Sequence, residues 1–417
     1  MTRSRRPPPG DVRTKRASRR QTPRWSTAAA FAGIVLAAAV PGAAATTTVR
    51  TAPAGRAQPQ YLTMASYGRR DAAILVSIGP ANGRHCAFGV YSTVDGAAHW
   101  RGPAVFDHGP VCQNDLAYEA LSVADDGSWW AAVLGRLYTG SLTSGSVHRV
   151  TVPDGGSSPV PVCSVAAAGR SAWVSVGANC SRASQLMRSA DGGRTWTAVR
   201  SIPLSRLVAS PAAGPVVLES ASTVFAIGLP QGATLTNGAY HGPLAVARSD
   251  DGGRTWLSSD LPCPGGVGGT RWFQGLAAAS GRDLVAECLG GAADSSQTTD
   301  VVFSDNDGVT WAESCGNGFF GEANLLGRCP SYGQPMSLAA LGDGELLAAL
   351  GNLGLEASSD HGRSWHQLGP TGAPFVALSG SGAAEWAFEF YPAGYASRGW
   401  LAVSTNGTTW HRVSPPR

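Results

Sequence analysis

Lysine is almost missing from this sequence, since Lys15 is the only one in 417 residues. Beyond that position the chain has no P-loop lysine, no Schiff-base lysine and no Ser–Lys dyad, which excludes these forms of phosphate binding and covalent catalysis. The sequence also lacks C-x-x-C, H-E-x-x-H and G-x-S-x-G motifs. This excludes the common zinc sites and the nucleophile elbow, and we predict no metal and no cofactor.

Residues 1–45 have the composition of a secretory signal peptide. A basic stretch at 3–24 precedes an apolar run that ends in Ala43, Ala44 and Ala45, the small-residue pattern of a cleavage site. We predict cleavage after Ala45 and a secreted protein. The alternative is membrane anchoring through an uncleaved segment, residues 26–45, because the run is close to the minimum length of a membrane span.

The positive charge of the chain belongs to this leader. Residues 1–45 hold nine of the 32 basic residues and one of the 28 acidic residues. The 23 basic and 27 acidic residues that remain give a net charge of −4. Since no basic excess is left for phosphate contacts, we do not expect nucleic acid as a partner.

All eight cysteines follow the leader, and their even number in an exported chain predicts disulfides. Short and long gaps alternate along the sequence, which favours the pairing of neighbours. Spacing alone does not fix the connectivity. The predicted pairs are Cys86–Cys112, Cys163–Cys180, Cys263–Cys288 and Cys315–Cys329.

One octapeptide recurs along the chain. It reads SADGGRTW at 189–196 and SDDGGRTW at 249–256, and altered copies occupy 93–100, 304–311, 358–365 and 404–410. A second phrase, two short apolar segments around a glycine turn, comes before most copies, for example SVAAAGRSAWVSV. Repetition at a period of roughly 45–60 residues is typical of a repeat fold, so we interpret the octapeptide as part of one repeating unit.

The first interval between octapeptides is about twice as long as the others and must contain an eroded unit. Residues 119–151 supply it, with apolar segments separated by two turn sequences. Seven units of four short strands predict an all-β, seven-bladed β-propeller, with six blades as the alternative. The predicted organisation is a signal peptide at 1–45, a linker at 46–59 and a single, monomeric propeller domain at 60–417.

The pattern S-x-D-x-G-x-T-W resembles the Asp-box, or BNR repeat, of sialidase-like propellers, and the resemblance extends over residues 60–417. Secreted Asp-box proteins and seven-bladed photosystem II assembly factors are similar. The resemblance implies that the octapeptides staple the turn between the third and fourth strands of a blade, away from the mouth. Local chemistry favours the same role, because a short carboxylate accepts turn N–H groups and tryptophan buries a large apolar area. The residues predicted to be structural are Ser189, Asp191, Gly193, Thr195, Trp196, Ser249, Asp251, Gly253, Thr255, Trp256, Asp360 and Trp365.

An enzymatic function stays open as the alternative. The resemblance implies that a sialidase would bind the substrate carboxylate with three arginines, the first in an R-I-P motif that this chain lacks. The first candidate blade offers only Arg69 and Arg70. Other glycosidases need two carboxylates across a cleft. The acids in presumed mouth loops, among which the sequence does not choose, are Asp107, Asp115, Glu119, Glu322 and Glu389.

Long, aromatic-rich segments are expected on the face opposite the octapeptides, at 236–243, 265–275, 316–335 and 388–399. Aromatic side chains together with arginine suit the recognition of a protein or a sugar. We therefore expect a non-catalytic binding or scaffold protein with an extracellular protein or glycan as partner. A sialidase-like glycoside hydrolase is the alternative. The candidate ligand-face residues are Arg271, Trp272, Phe273, Tyr332, Tyr240 and Tyr391.

Overall fold

The computed structural model describes the chain from residue 58 onward, with gaps. The described residues are 58–79, 84–111, 119–153, 160–177, 185–208, 216–218, 220–233, 243–262, 272–278, 282–293, 296–316, 335–342, 345–350, 354–361, 364–368, 375–380, 385–389, 400–404, 409–413 and 416. Within these ranges the regular structure consists of strands β1–β29, without a helix.

Each repeat of the sequence forms one antiparallel sheet in which consecutive strands are neighbours. We call these sheets blades 1–7, in chain order. Blade 1 contains β1 (Gln58–Tyr67), β2 (Asp71–Gly79), β3 (Arg84–Thr93) and β4 (Arg101–Val111). Blade 2 contains β5 (Ala120–Val123), β6 (Ser128–Val133), β7 (Arg136–Ser141) and β8 (Val147–Val150). Blade 3 contains β9 (Val162–Ala168), β10 (Ser171–Val176), β11 (Gln185–Ser189) and β12 (Thr197–Val199).

The second half of the chain repeats the arrangement. Blade 4 contains β13 (Leu204–Leu207), β14 (Val216–Leu218), β15 (Val224–Pro230), β16 (Leu244–Ser249) and β17 (Leu257–Leu261). Blade 5 contains β18 (Trp272–Ala278), β19 (Leu284–Ala293), β20 (Ser296–Ser304) and β21 (Ala312–Gly316). Blade 6 contains β22 (Pro335–Gly342), β23 (Glu345–Leu350), β24 (Gly354–Ser358) and β25 (His366–Leu368). Blade 7 contains β26 (Phe375–Gly380), β27 (Glu385–Glu389), β28 (Trp400–Ser404) and β29 (Trp410–Val413).

The blades close into a ring through their inner strands. Strand β1 touches β5, β5 touches β9, β9 touches β14, and β14 touches β18. The ring continues from β18 to β22 and β26, and β26 returns to β1. The molecule is therefore a seven-bladed β-propeller, which confirms the predicted fold class. Blade 2 is the unit expected at 119–151.

Blade 4 departs from the prediction of four strands in every blade. Its inner edge is formed by two short strands, β13 and β14, which both pair with β15 in the same antiparallel direction. Leu207 lies opposite Gly228, and Val216 lies opposite Ala226. One inner strand is thus interrupted between Val208, which still bonds to the Ile227 carbonyl, and Val216.

Both faces of each blade are buried, because neighbouring blades cover them. Successive side chains of a strand point to opposite faces, and β10 shows the consequence. Ala172, Val174 and Val176 pack in a cluster with blade 2, whereas Trp173 packs in a cluster with blade 4. The apolar segments of the sequence are continuous rather than alternating for this reason.

The two ends of the propeller chain meet at the junction of blades 7 and 1. Met64, Ile74 and Val76 of blade 1 pack with Leu401 and Val403 of blade 7. In addition, the Tyr61 hydroxyl donates a hydrogen bond to the Pro416 carbonyl at 2.6 Å. Burial, with a smaller contribution from Tyr91, raises the pKa of Tyr61 to about 12, so this donor keeps its proton at physiological pH.

A search of the described residues for a helix long and apolar enough to cross a membrane finds none.

Candidate functional site

The antiparallel order of the strands gives the propeller two distinct faces. Turns between the first and second strands and between the third and fourth strands of a blade lie at one end of the sheets. All the octapeptides lie there, and we call this end the octapeptide face. The remaining connections lie at the other end, the connection face. Arg69 and Arg70 are exposed in the turn from β1 to β2 and so belong to the octapeptide face.

The first intact octapeptide is held closed by one carboxylate and one hydroxyl. Asp191 Oδ1 accepts hydrogen bonds from the backbone N–H groups of Arg194 at 3.0 Å and Thr195 at 2.9 Å. Its Oδ2 accepts the Thr195 hydroxyl at 2.6 Å. Ser189 Oγ donates to Asp191 at 2.8 Å and accepts the Gly193 N–H at 2.8 Å. These bonds, those from Thr195 first, lower the pKa of Asp191 despite some opposing desolvation.

The same pattern recurs in blade 4, where Asp251 Oδ1 accepts from the N–H groups of Arg254 and Thr255, both at 2.9 Å. Blade 5 uses Asn306 instead of aspartate. Its Oδ1 accepts the Thr310 N–H at 2.9 Å, and its amide donates to the Thr310 hydroxyl at 2.6 Å. The turn therefore requires an acceptor oxygen at this position but not a negative charge.

The fourth residue of each described octapeptide has a left-handed backbone. The φ values are 72° at Gly96, 76° at Gly192, 68° at Gly252, 63° at Asp307 and 61° at His361. This conformation costs an L residue roughly 1–2 kcal/mol, and in blades 1, 3, 4 and 5 it lets the N–H at this position reach the turn between the first and second strands. For example, Gly252 N–H donates to the Ser222 carbonyl at 2.9 Å. The two turns at this end of a blade are thereby joined.

Octapeptide tryptophans fasten each blade to the preceding one. Trp196 meets the buried Trp130 of blade 2 edge-on, with centroids 6.5 Å apart, and Trp256 meets the buried Trp173 of blade 3 in the same way at 6.1 Å. The glycine at the fifth position makes room, because a Cβ at Gly253 would lie 2.4 Å from the Trp173 ring. The remaining octapeptide tryptophans with described surroundings, each packed at a junction between two blades, are Trp100, Trp311 and Trp365.

The residue before the octapeptide serine reaches in the opposite direction, to the next blade. Arg248 pairs with Asp307 of the blade 5 octapeptide at 3.0 Å. Phe303 stacks on His361 of the blade 6 octapeptide, with centroids 5.4 Å apart. Arg188 lies beside Gly252 of the blade 4 octapeptide. Each octapeptide in blades 4 to 6 is therefore contacted from both its own and the preceding blade.

Most of the predicted ligand-face residues fall outside the described residues. This applies to Arg271, Tyr240, Tyr332 and Tyr391, and to the side chain of Trp272, whose backbone begins β18. Phe273 is described and is only 4% exposed. It packs with Leu276, Leu284 and Cys288 in the cluster between blades 4 and 5. Phe273 is therefore a core residue, which corrects its assignment to the ligand face.

Three of the eight cysteines have described side chains. Cys86, Cys163 and Cys288 are each disulfide-bonded and buried. Cys86 and Cys163 lie near the connection-face ends of β3 and β9, and Cys288 lies in the middle of β19, opposite Phe273 near the start of β18. The side chains of Cys112, Cys180, Cys263, Cys315 and Cys329 lie outside the described residues.

Asp107 is committed to an ion pair between blades 1 and 2. Arg136 Nη1 donates to both of its oxygens, at 2.8 and 2.9 Å, and the Tyr138 hydroxyl donates to Oδ2 at 2.6 Å. Burial acts to raise the pKa of Asp107, but the hydrogen bonds from Tyr138, the His108 backbone and Arg136 hold it below its ordinary value. An ionised, fully paired carboxylate of this kind is suited to structure and not to proton transfer.

Glu119 has the opposite character. It directly precedes β5, the inner strand of blade 2, at the connection face. Its Oε1 atom is buried and has no hydrogen-bond partner, and desolvation raises the pKa of the carboxyl to about 8. Glu119 is therefore a protonated acid at neutral pH. Asp115 and Glu322, and the side chain of Glu389, lie outside the described residues.

A second buried acid, Glu287, was not singled out by the sequence. It is 1% exposed in β19, its Oε1 atom has no hydrogen-bond partner, and burial raises its pKa well above the ordinary value. Its neighbours in β19, Ala286 and Cys288, pack against blade 4. Because successive side chains of a strand point to opposite faces, Glu287 points toward blade 6. The sequence signal that could have found it is a single glutamate in the otherwise apolar segment LVAEC. The spacing of the repeats does not distinguish this residue. In the described part of the chain, no group of three or more His, Cys, Asp or Glu side chains could hold a metal ion.

Comparison with known proteins gives remote likenesses. No protein-family model and no curated protein matches the chain. Among solved structures it is similar to YCF48 bound to D1 peptide, at 14% identity and a TM-score of 0.46, covering 86% of this chain and 93% of that one. It is also similar to YCF48 from Cyanidioschyzon merolae, at 12% identity and a TM-score of 0.47, covering 86% and 96%. A PL25 ulvan lyase shows 11% identity and a TM-score of 0.44, covering 87% and 94%.

Replacing Gly253 by alanine should destabilise the propeller strongly. The new Cβ would lie 2.4 Å from the Trp173 ring, at a φ of +85°. Left-handed strain and overpacking together predict a loss of about 2–4 kcal/mol in the free energy of unfolding. Gly232→Ala is the matched control, since its φ is +79° and nothing lies within 4 Å of the new atom. It should lose only about 1 kcal/mol. Urea unfolding measures both, and equal losses would show that contact with Trp173 contributes nothing.

The free energy of unfolding should decrease as pH rises from 4.5 to 8. The Glu119 pKa is about 8 in the folded protein against an ordinary 4.5, so the folded state holds a proton that the unfolded state releases across this range. Thermal melts at several pH values should show that stability depends less on pH in Glu119→Gln than in the wild type. Glu287→Gln should reduce the pH dependence of stability in the same way. An unchanged slope in both variants would contradict the neutral state of the two acids.

Proposed function

We propose that this protein is an exported, non-catalytic β-propeller that binds an extracellular protein or glycan through its connection face. The observation that carries the proposal is the difference between the two faces. The described octapeptide turns use their own aspartate or asparagine, hydroxyl and tryptophan to close themselves and to fasten neighbouring blades. Side chains that are committed in this way are poor candidates for recognising a partner.

The connection face has the composition expected of a binding surface. Its long connections at 231–243, 262–271, 317–334 and 390–399 carry arginine and many aromatic residues, which are enriched at the centres of interfaces. Trp272 stands where one of these connections enters the inner strand of blade 5. A rigid ring of blades that presents such connections is a suitable scaffold for binding.

Export and disulfide pairing support this assignment to the extracellular space. We propose cleavage after Ala45 and the pairs Cys86–Cys112, Cys163–Cys180, Cys263–Cys288 and Cys315–Cys329. Register supports the first two. Cys86 is opposite Gly109, three residues before Cys112, and Val162, next to Cys163, is opposite Val176, four residues before Cys180. Disulfides near the connection face would hold the connections in fixed shapes.

Mass spectrometry of the secreted protein tests both points. We expect an N-terminus at Thr46 and four linked peptide pairs without reduction. Trypsin separates the members of the first two pairs, at Arg101 and Arg170. Cys288 and Cys315 share the tryptic peptide 283–328, so a second digestion at Asp300 is needed to distinguish the last two pairs. An intact leader found only in membranes, or eight free thiols, would contradict the proposal.

One observation favours a second candidate, a glycoside hydrolase. The raised pKa of Glu119, about 8, suits a general acid, which must hold its proton at neutral pH. A second carboxylate across the cleft would be required. Glu322, on the connection after β21, and Glu389, the last residue of β27, are the later acids that could supply it.

A binding assay with paired variants tests the proposed function against this alternative. The purified protein is applied to a glycan array and to a phage-displayed peptide library. We expect a selected glycan or peptide whose binding Trp272→Ala weakens about tenfold or more without a change in melting temperature. Trp256→Ala, on the octapeptide face, should lower the melting temperature and leave binding by the folded fraction intact. If sugar is released from the array glycans, and if Glu119→Gln abolishes this release, the hydrolase is favoured instead. Binding that neither Trp272→Ala nor Trp256→Ala changes would contradict the connection face as the site.

A further inference from the structure

Blades 3 and 4 carry an arginine at the same position, directly before the octapeptide serine. The blade 4 residue, Arg248, is neutralised twice. Its Nε donates to Asp250 Oδ1 at 2.8 Å, and its Nη1 lies 3.0 Å from Asp307 Oδ2. Asp250 is the second residue of the same octapeptide, and Asp307 is the fourth residue of the next one.

Arg188, the blade 3 residue, has neither partner. Ala190 occupies the position that corresponds to Asp250, and Gly252 occupies the one that corresponds to Asp307. The Arg188 Nε atom is buried and has no hydrogen-bond partner. Its guanidinium lies 5.5 Å from the centre of the Trp173 ring and packs directly against Gly252. Within the described residues no carboxylate forms an ion pair with it.

The surrounding charges increase this deficit of negative charge. Desolvation lowers the pKa of Arg188, the positive charge of Arg254 lowers it further, and Asp251 opposes both effects. The Asp251 oxygens already accept hydrogen bonds from the Ser249 hydroxyl, the Arg254 backbone N–H and the Thr255 hydroxyl, so this carboxylate is committed to its own turn. The positive charge of the Arg254 side chain acts on Arg188, and among the described residues neither guanidinium has a carboxylate paired with it.

We propose that Arg188 and Arg254 bind an oxyanion, of the sulfate, phosphate or carboxylate class, on the octapeptide face at the junction of blades 3 and 4. The planar guanidinium fork is the side chain that best matches such groups, and stacking on Trp173 fixes its orientation. The anion takes the place that Asp250 and Asp307 take beside Arg248. Arg254 and Ala190 are exposed, so the site is open to solvent. This site lies on the opposite face from the proposed partner surface and does not depend on it.

Substitution of Ala190 tests the proposal directly. Ala190→Asp places a carboxylate where Asp250 bonds to Arg248, and it should fill the site from within the chain. Gly252→Asp does the same from the next blade. Asp307 shows that aspartate accepts this backbone conformation, but the flexible Arg188 guanidinium, 2.7 Å from the new Cβ, must shift to make room. Arg188→Gln removes the fork itself. Arg412→Gln, an exposed arginine of blade 7, is the matched control.

Calorimetric titration with sodium sulfate and sodium phosphate, at constant ionic strength maintained with sodium chloride, measures binding to the full-length secreted protein. We expect the wild type and Arg412→Gln to bind, and Ala190→Asp and Arg188→Gln to lose affinity by about tenfold or more. Melting curves in sulfate and in chloride provide a second readout. Sulfate stabilises proteins in general. The decisive quantity is therefore how much more sulfate raises the melting temperature of the wild type than that of Ala190→Asp.

The source of the anion is resolved by a parallel titration with dextran sulfate. Stronger binding of the polymer per sulfate group than of free sulfate, lost in Ala190→Asp, would assign the site to an acidic polysaccharide. Equal binding would assign it to a free ion. If Arg188→Gln does not fold, Ala190→Asp and Gly252→Asp still decide the question. Sulfate binding and melting shifts that are the same in the wild type and both aspartate variants would overturn the proposal.

Discussion

The rest of this structure depends on one acceptor oxygen in each octapeptide turn. Asp191 and Asp251 collect N–H and hydroxyl donors of their own turns, and hydrogen bonds to a charged acceptor stabilise the closed turn more than neutral ones do. With the turn closed, the tryptophan at its end is aimed at the preceding blade. The contacts of Trp196 with Trp130 and of Trp256 with Trp173 then hold two sheets together that share no hydrogen-bonded strand pair.

Some positions of the octapeptide close the turn and others contact a neighbouring blade, and the variation among the copies follows from these two roles. Asn306 replaces aspartate without loss of the acceptor, so charge is dispensable inside the turn. The fourth position, in contrast, faces the preceding blade and changes with its neighbour. Asp307 meets Arg248, His361 meets Phe303, and Gly252 meets Arg188. The third of these contacts alone leaves a guanidinium without a carboxylate, and for this reason we place an anion there.

Acidic side chains are used in three different ways in this propeller. Asp191 and Asp251 are ionised and bonded within their own turns. Asp107 is ionised and joins two blades through Arg136 and Tyr138. Glu119 and Glu287 are desolvated, their Oε1 atoms have no hydrogen-bond partner, and burial raises the pKa of both, that of Glu119 to about 8. Of these described acids, Glu119 is the one with a raised pKa at the connection face, where proton transfer to a ligand would take place.

The sequence by itself determined the repeat, the seven blades and the position of the octapeptides, because turn closure is local and recurs with a fixed spacing. It did not determine what depends on contacts between blades. Phe273 stands in an aromatic connection by sequence but is buried between blades 4 and 5, and the inner strand of blade 4 is interrupted where a continuous strand was expected. Likewise, RSADGG and RSDDGG differ only at Ala190 and Asp250, and the sequence does not show what this difference does. The tertiary structure shows it, because Asp250 pairs with Arg248, and because the second neighbour of each arginine is a residue of the following blade, about sixty positions away along the chain.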